Sequence, residues 1–165
     1  MARHFVNLSE IDANTLKNIL KRAHELKAEK YNPLQLFKGL SLAMMFDKRS
    51  TRTRISFEIA MKQLGGHSII LNKDDIQLGG AESIESTAKV MSRYVDAIML
   101  RMSDHQMMEN LAYYSEIPVI NGMTNKAHPC QIMADIMTIE EKLGSIAGKK
   151  VAWFGDYNNV TRSFI

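Results

Sequence analysis

The sequence has few of the residues and patterns that mark secreted and membrane proteins. Cys130 is the only cysteine, so no disulfide can form within the chain, and a reducing cytoplasm is the natural compartment. No apolar run is long enough to span a membrane. The first residues also lack the hydrophobic core of a signal peptide. These absences predict a cytoplasmic protein without a membrane partner.

Charge of one sign is also scarce, with 21 basic and 18 acidic residues, a net charge of +3 and an isoelectric point near 9.0. Nucleic-acid-binding proteins usually show a clustered basic stripe, so no nucleic-acid partner is predicted, whereas a small anionic ligand is compatible with this balance. His4, His24, His67 and His105 lack the spacing of metal ligands. We therefore expect no metal site at these histidines.

Hydrophobic periodicity predicts an α/β fold. Short apolar runs alternate with helical patterns, and strands that are apolar on both faces are typical of a parallel sheet covered by helices on each side. The expected architecture is a Rossmann-like four-stranded parallel sheet with helices on both faces. The predicted helices are Asp12–Lys30, Thr53–Leu64, Ser83–Tyr94, Asp104–Tyr114 and Pro129–Leu143, and the predicted strands are Leu42–Phe46, Ser68–Leu71, Val95–Leu100 and Ile117–Ile120.

A further apolar run, Lys150–Gly155, predicts a fifth strand after a glycine-containing break at Gly144–Gly148. We interpret residues 1–148 as one domain, and residues 149–165 as the first strand and loop of a second, truncated domain. The alternative is that the fifth strand joins the first sheet.

Polar side chains follow the predicted strands, and ligands of open parallel sheets bind beyond the carboxyl ends of their strands. The segment Ser50-Thr51-Arg52-Thr53-Arg54 follows the first strand where a helix begins. Hydroxyls, guanidinium groups and free N–H groups of a helix start are together suited to phosphate. The alternative is an ordinary Ser or Thr helix cap beside solvated arginines.

Two more groups are expected at the same rim. Arg101 ends the third strand, and His128-Pro129-Cys130-Gln131 begins the last predicted helix, with Pro129 at a favourable first position. Each has a simpler interpretation, because a lone arginine is often a solvated strand end and a lone histidine is often a structural capping residue. Cys130 has a rival role as a thiol activated at a helix start.

Three motifs resemble the ornithine carbamoyltransferase family: Ser50 to Glu58, Ser92 to Arg101, and His128 to Gln131. The resemblance covers essentially the whole chain. It implies two α/β domains, a homotrimer, and transfer of a carbamoyl group from carbamoyl phosphate to L-ornithine, which gives citrulline and phosphate in arginine metabolism. This chemistry needs neither a metal nor a cofactor. This chain would form the carbamoyl-phosphate-binding half.

The resemblance also implies the site residues. Carbamoyl phosphate would be bound by residues of the three motifs: Ser50, Thr51, Arg52, Thr53, Arg101, His128 and Gln131. Pro129 and Cys130, which lie between His128 and Gln131, are included in the predicted substrate-binding set. Arg52, Arg101 and His128 would be catalytic. Gln77 would reach the site of a neighbouring subunit, and Asn159 would contact ornithine.

Two alternatives stay open. Aspartate carbamoyltransferases resemble this chain, but they typically have threonine in place of Cys130 and a lysine-rich loop where this chain has Gln77-Leu78-Gly79-Gly80-Ala81-Glu82. That loop also lacks an arginine that ornithine enzymes often carry, so its role is open. A non-catalytic phosphate-binding module is the second alternative. The sequence does not separate biosynthetic from catabolic roles.

Overall fold

A computed structural model describes residues 2–29, 34–76 and 82–165 of the chain. Six α-helices and four β-strands are assigned within these ranges, together with the short 3-10 turns Leu8–Glu10 and Lys73–Asp75. The elements in chain order are α1 (Ala13–Ala28), β1 (Ser41–Phe46), α2 (Arg52–Gln63), β2 (His67–Asn72), α3 (Ile84–Tyr94), β3 (Ala97–Arg101), α4 (His105–Tyr114), β4 (Val119–Met123), α5 (Pro129–Leu143) and α6 (Asn159–Phe164).

The four strands form one parallel sheet in the order β2-β1-β3-β4. In its register, Phe46 at the end of β1 lies beside Arg101 at the end of β3. Parallel pairing brings the carboxyl ends of all four strands to one edge, which we call the rim. The predicted four-stranded parallel sheet is confirmed.

Helices cover both faces of the sheet because alternate strand residues point to opposite sides. On one face Met45 and Ile98 belong to a buried cluster that includes residues of α3 and α4. On the other face Met44 and Met99 pack with Met61 of α2. No helix of the described residues is both long and apolar enough to cross a membrane.

Three predicted helices start at residues that cap the observed helices. Asp12, Ser83 and Asp104 have extended backbone, and each side chain accepts hydrogen bonds from N–H groups of the helix it precedes. Helix α5 ends at Gly144, whose φ of 75° suits a residue without a β-carbon. Thus local chemistry accounts for these boundaries.

The predicted fifth strand is absent, which is a correction to the sequence analysis. Lys150–Gly155 has no strand assignment, and Phe154 is 93% exposed. A strand needs a hydrogen-bonded neighbour, and no described residue pairs with this run. After this run the chain forms α6, which packs near α5. The assignment of residues 149–165 to a second domain stays a prediction.

The free edge of β4 is covered by the chain start. The N–H of Phe5 donates to the carbonyl of Val119 at 2.8 Å, and the N–H of Asn121 donates to the carbonyl of Phe5 at 2.8 Å. The side-chain amide of buried Asn121 also donates to the carbonyl of Val6 at 3.0 Å. These bonds attach residues 5 and 6 alongside the sheet.

Candidate functional site

The rim brings Thr53 and Arg101 together, as the β1–β3 pairing requires. A guanidinium N–H of Arg101 donates to Thr53 Oγ1 at 2.9 Å. Asp47 fixes the two strand ends, because its N–H donates to the carbonyl of Arg101 at 3.1 Å and its carboxylate accepts from the N–H of Ser103. The sequence motif at the start of α2 therefore contacts the arginine that ends β3.

Arg101 is only partly satisfied by these contacts. Its Nε is buried and has no hydrogen-bond partner among the described residues. Burial lowers the pKa of the guanidinium, and the nearby charge of Arg52 lowers it further, while Asp47 opposes both effects. Because arginine stays protonated in proteins, two positive groups lie here within electrostatic range of each other. An anion between Arg52 and Arg101 would relieve their repulsion.

The first turn of α2 differs from the starts of the capped helices. Thr51 occupies the cap position, but its side chain makes no capping bond, and Thr51 and Arg52 are exposed. N–H groups in a first turn have no acceptor inside the helix, so they are available to a ligand. Ser50, Thr51 and Arg54 also line a surface cleft of about 190 Å³. The helix-cap alternative is wrong for Thr51.

His128 lies at the rim in the cap position of α5, directly before Pro129. Its Nδ1 is buried and has no hydrogen-bond partner among the described residues. Burial and, second, the positive charge of Arg101 lower the pKa of His128 to about 4, against a weaker opposing effect of Asp135. The imidazole is thus neutral at neutral pH and lies within electrostatic range of Arg101.

Pro129, Cys130 and Gln131, which follow His128 at the start of α5, have other surroundings than the His128 side chain. Pro129 is buried, and the Cys130 thiol donates to the carbonyl of Asn121 on β4 at 3.3 Å. Burial raises the pKa of Cys130 to about 12, so the thiolate needed for an activated thiol is not formed at neutral pH. Gln131 is exposed and donates to Asp135 at 2.9 Å.

Of the two remaining predicted residues, only Asn159 lies within the described residues. Asn159 begins α6, and its side-chain amide donates to the carbonyl of Thr124 at 2.6 Å, in the loop that precedes His128. Gln77 lies outside the described residues, as does most of its loop. No three histidine, cysteine or acidic side chains cluster as a metal site within the ranges that the structure covers.

Sequence reasoning missed the residues that hold the rim in place. Asp47, Thr124 and Ser163 were not singled out. Their side chains accept from the backbone N–H groups of Ser103, Ala127 and His128, respectively, which are at or within two residues of Arg101 or His128. Asp47 could have been predicted as a rim residue, since it directly follows β1. Nothing in the sequence indicated buried Thr124 or half-buried Ser163, because their partners are distant in sequence or lie in an unpredicted loop.

Comparison with known proteins agrees with this geometry. Residues 3–141 match the family described as aspartate/ornithine carbamoyltransferase, carbamoyl-P binding domain. The ornithine carbamoyltransferase of Caulobacter vibrioides is 52% identical over 170 residues, which cover 99% of this chain and 55% of that protein.

Solved structures give the same picture. The ornithine carbamoyltransferase of Pyrococcus furiosus superimposes with a TM-score of 0.96 and 49% identity, over 98% of this chain and 52% of that one. A mutant N-acetyl-L-ornithine transcarbamylase, solved with carbamyl phosphate and N-succinyl-L-norvaline, gives 0.77 and 33%, over 87% of this chain and 49% of its own. The chain spans about half the length of these relatives.

Proposed function

The chain belongs to the aspartate/ornithine carbamoyltransferase family, and we propose that it forms the carbamoyl-phosphate-binding half of an ornithine carbamoyltransferase. The full protein would transfer the carbamoyl group of carbamoyl phosphate to the δ-amine of L-ornithine. Its products would be citrulline and phosphate. One observation carries the proposal: Arg101 Nε and His128 Nδ1 are buried at the same rim without a partner among the described residues.

Unpaired buried polar atoms are costly, so their presence at a rim is best explained by a ligand that completes them. A carbonyl oxygen can accept from Arg101 and from a neutral imidazole together. The Thr53 hydroxyl supports the same assignment. It accepts from Arg101, so its own hydrogen stays available for donation. Carbamoyl phosphate supplies both this carbonyl oxygen and the phosphate that suits the start of α2.

The phosphate end would occupy the first turn of α2. Free N–H groups and the positive end of the helix dipole favour a dianion there. Arg52 is exposed beside this turn and can donate two parallel hydrogen bonds to phosphate oxygens. Ser50 and Thr51 would add hydroxyl donors, and Gln131 would complete the site after turning away from Asp135.

The reaction would proceed by attack of the neutral amine on the carbamoyl carbon. Negative charge develops on the carbonyl oxygen as the new C–N bond forms, and Arg101, His128 and Thr53 would stabilise it as donors. The C–O bond to phosphate then breaks, and Arg52 with the helix start would stabilise the departing phosphate. A phosphate oxygen would accept the proton that the attacking amine loses, so that citrulline and phosphate are the products. His128 would act as a hydrogen-bond donor, because its low pKa disfavours a protonated, acid-catalytic form.

Ornithine would be held by the other half of the protein and by Asn159. We propose that residues 149–165 lead into that half, that Gln77 completes the site of a neighbouring subunit in a homotrimer, and that the enzyme works in the cytoplasm in arginine metabolism. An aspartate carbamoyltransferase and a phosphate-binding module are the rivals that the experiment below separates.

The test is a citrulline assay on the full-length protein. Arg101→Ala and His128→Ala should each lower kcat by about 10²-fold or more, as loss of an oxyanion donor does. Arg93→Ala is the control, because Arg93 is exposed near the end of α3, away from the rim, and pairs with Glu116 at 3.6 Å. Parallel assays with L-aspartate and N-acetyl-L-ornithine identify the acceptor. Undiminished turnover by both rim variants would overturn the proposed mechanism.

The 165-residue chain by itself should bind carbamoyl phosphate but form almost no citrulline. Productive attack requires the amine to be held against the carbamoyl carbon, and such positioning supplies roughly 7–11 kcal/mol in well-oriented systems. If the chain alone matched the rate of the full-length protein, the assignment of the amine site to the other half would be wrong.

A further inference from the structure

The loop that presents His128 is held from α6, a contact that the proposed mechanism has not used. The N–H of His128 donates to Ser163 Oγ at 2.8 Å, and the hydroxyl of Ser163 donates to the carbonyl of Asn159 at 2.9 Å. The second bond fixes the hydroxyl rotor, so the acceptor side of Ser163 faces the His128 amide. The two residues are 35 positions apart, so this bond connects separate parts of the chain.

Helix α6 is itself anchored at its start. Asn158 caps it by accepting from the N–H groups of Val160 and Thr161. The Asn159 side chain donates to the carbonyl of Thr124 at 2.6 Å. Asn159 and Ser163 lie one helical turn apart, so they hold both ends of the loop 124–128 against one face of a six-residue helix.

The backbone of His128 is consequently held on both sides. Its N–H is bound by Ser163, and its carbonyl accepts from the N–H of Gln131 at 3.1 Å at the start of α5. The following Pro129 disfavours helical geometry at His128 and keeps it outside α5. The side chain makes no hydrogen bond through Nδ1 to the described residues, so the backbone bonds and packing set where the imidazole points.

We infer that Ser163 is a positioning residue for the reaction, which acts by fixing the His128 backbone so that the imidazole meets the carbonyl oxygen of the substrate. The inference rests on the proposed function of His128. It also gives α6 a second task beside its Asn159 contact, since the same helix that would touch ornithine orients the carbamoyl site.

The experiment is a double-mutant cycle in the full-length protein, measured as citrulline formation. Ser163→Ala should lower kcat roughly tenfold, because a misplacement of about 1 Å can cost about 10²-fold. The KM for carbamoyl phosphate should change less than about twofold, as expected when an interaction is made in the transition state. In the His128→Ala background, Ser163→Ala should cause no further loss.

Ser92→Ala is a matched control. Ser92 in α3 also donates to the carbonyl four residues earlier, at 2.7 Å, and also accepts a backbone N–H from another segment, that of Glu116 at 3.1 Å. It lies away from the rim and should leave kcat unchanged. Ser163→Thr, which keeps the hydroxyl, should restore most of the activity. Ser163→Cys, with a weaker acceptor of similar size, replaces the alanine variant if that variant does not fold.

The outcomes are distinguishable. An equal loss from Ser163→Ala in both backgrounds would mean that Ser163 acts independently of His128, and an unchanged kcat with intact His128 would mean that the bond has no role; either overturns the inference. Full activity of His128→Ala would instead refute the proposed function of His128.

Discussion

The four helices that follow strands begin at the same rim, but they begin in two different ways. Ser83 and Asp104 cap α3 and α4 with their own side chains. Thr51 and His128 occupy the cap positions before α2 and α5, and neither side chain makes a capping bond. Capping stabilises a helix start, so leaving it out has a cost of about 1 kcal/mol. The uncapped pair marks where an external group is expected.

The pairs also differ in their surroundings. The uncapped pair lies with Arg52, Arg101 and His128, whose Nδ1 has no hydrogen-bond partner in the part of the chain that the structure describes. The capped pair packs on one face of the sheet around the buried core. Helix α5 offers fewer free donors than α2, because Pro129 has no N–H and Gln131 bonds back to His128. In this comparison α2 is suited to bind phosphate, and α5 to present an imidazole.

The largest difference between the pairs should appear in phosphate binding. Arg52→Ala removes charge-assisted hydrogen bonds, each worth roughly 1.5–3 kcal/mol, so affinity for carbamoyl phosphate and inorganic phosphate should fall about tenfold or more. Titration calorimetry on the chain measures this. Arg22→Ala, which removes an arginine of α1 that pairs with Glu25 at 2.9 Å, is the control. Equal affinity of the Arg52 variant and the wild type would exclude Arg52 as the phosphate ligand.

A smaller effect separates capping from binding. Ser83→Ala and Asp104→Ala should each lower the free energy of unfolding by about 1 kcal/mol, since both remove a side-chain cap. Thr51→Ala should change it by less than about 0.5 kcal/mol, because no cap is lost. Affinity for phosphate should show the opposite pattern: Thr51→Ala should lower it, whereas Ser83→Ala and Asp104→Ala should leave it unchanged. Urea unfolding and calorimetry on the three variants give both numbers. A stability loss at Thr51 equal to that at Ser83 would break the comparison.

The third effect concerns the pH dependence of stability. The pKa of folded His128 is about 4, against 6.5 for an ordinary histidine. Between these values the unfolded chain binds a proton that the folded chain does not. The contribution of His128 to the free energy of unfolding is therefore complete above pH 6.5 and falls as the pH drops towards 4.

His128→Gln should remove this part of the acid sensitivity. Unfolding by urea at several pH values, for wild type and variant, isolates the difference from the many carboxylates that titrate in the same range. A difference between the two proteins that stays constant with pH would show that the histidine is not held neutral in the folded state.

Local chemistry made most of the fold predictable. Apolar periodicity predicted helices that start at Asp12, Ser83 and Asp104, and in the structure each of these residues caps the helix that follows it. Strand β4 was misplaced, since the prediction ended at Ile120 and the strand continues to Met123. Asn121 and Gly122 do not look like buried strand residues. The amide of Asn121 is satisfied by the carbonyl of Val6, a long-range bond that hydrophobicity patterns do not show.

The predicted fifth strand failed for a related reason. The run around Val151 and Phe154 has strand composition, but strand structure depends on a neighbour, and α6 was not foreseen. At the site, the rim itself followed from the strand-helix alternation. The bond between Arg101 and Thr53 required the strand order as well, because β1 and β3 are not consecutive in the chain.

The attachment of residues 5 and 6 to β4 has a practical consequence for handling the protein. An open strand edge is a template for another chain, and this short stretch occupies the hydrogen-bonding groups of Val119 and Asn121 that would otherwise be exposed. Fraying or proteolysis of the first six residues would uncover them. Samples that lose these residues should therefore self-associate through β4.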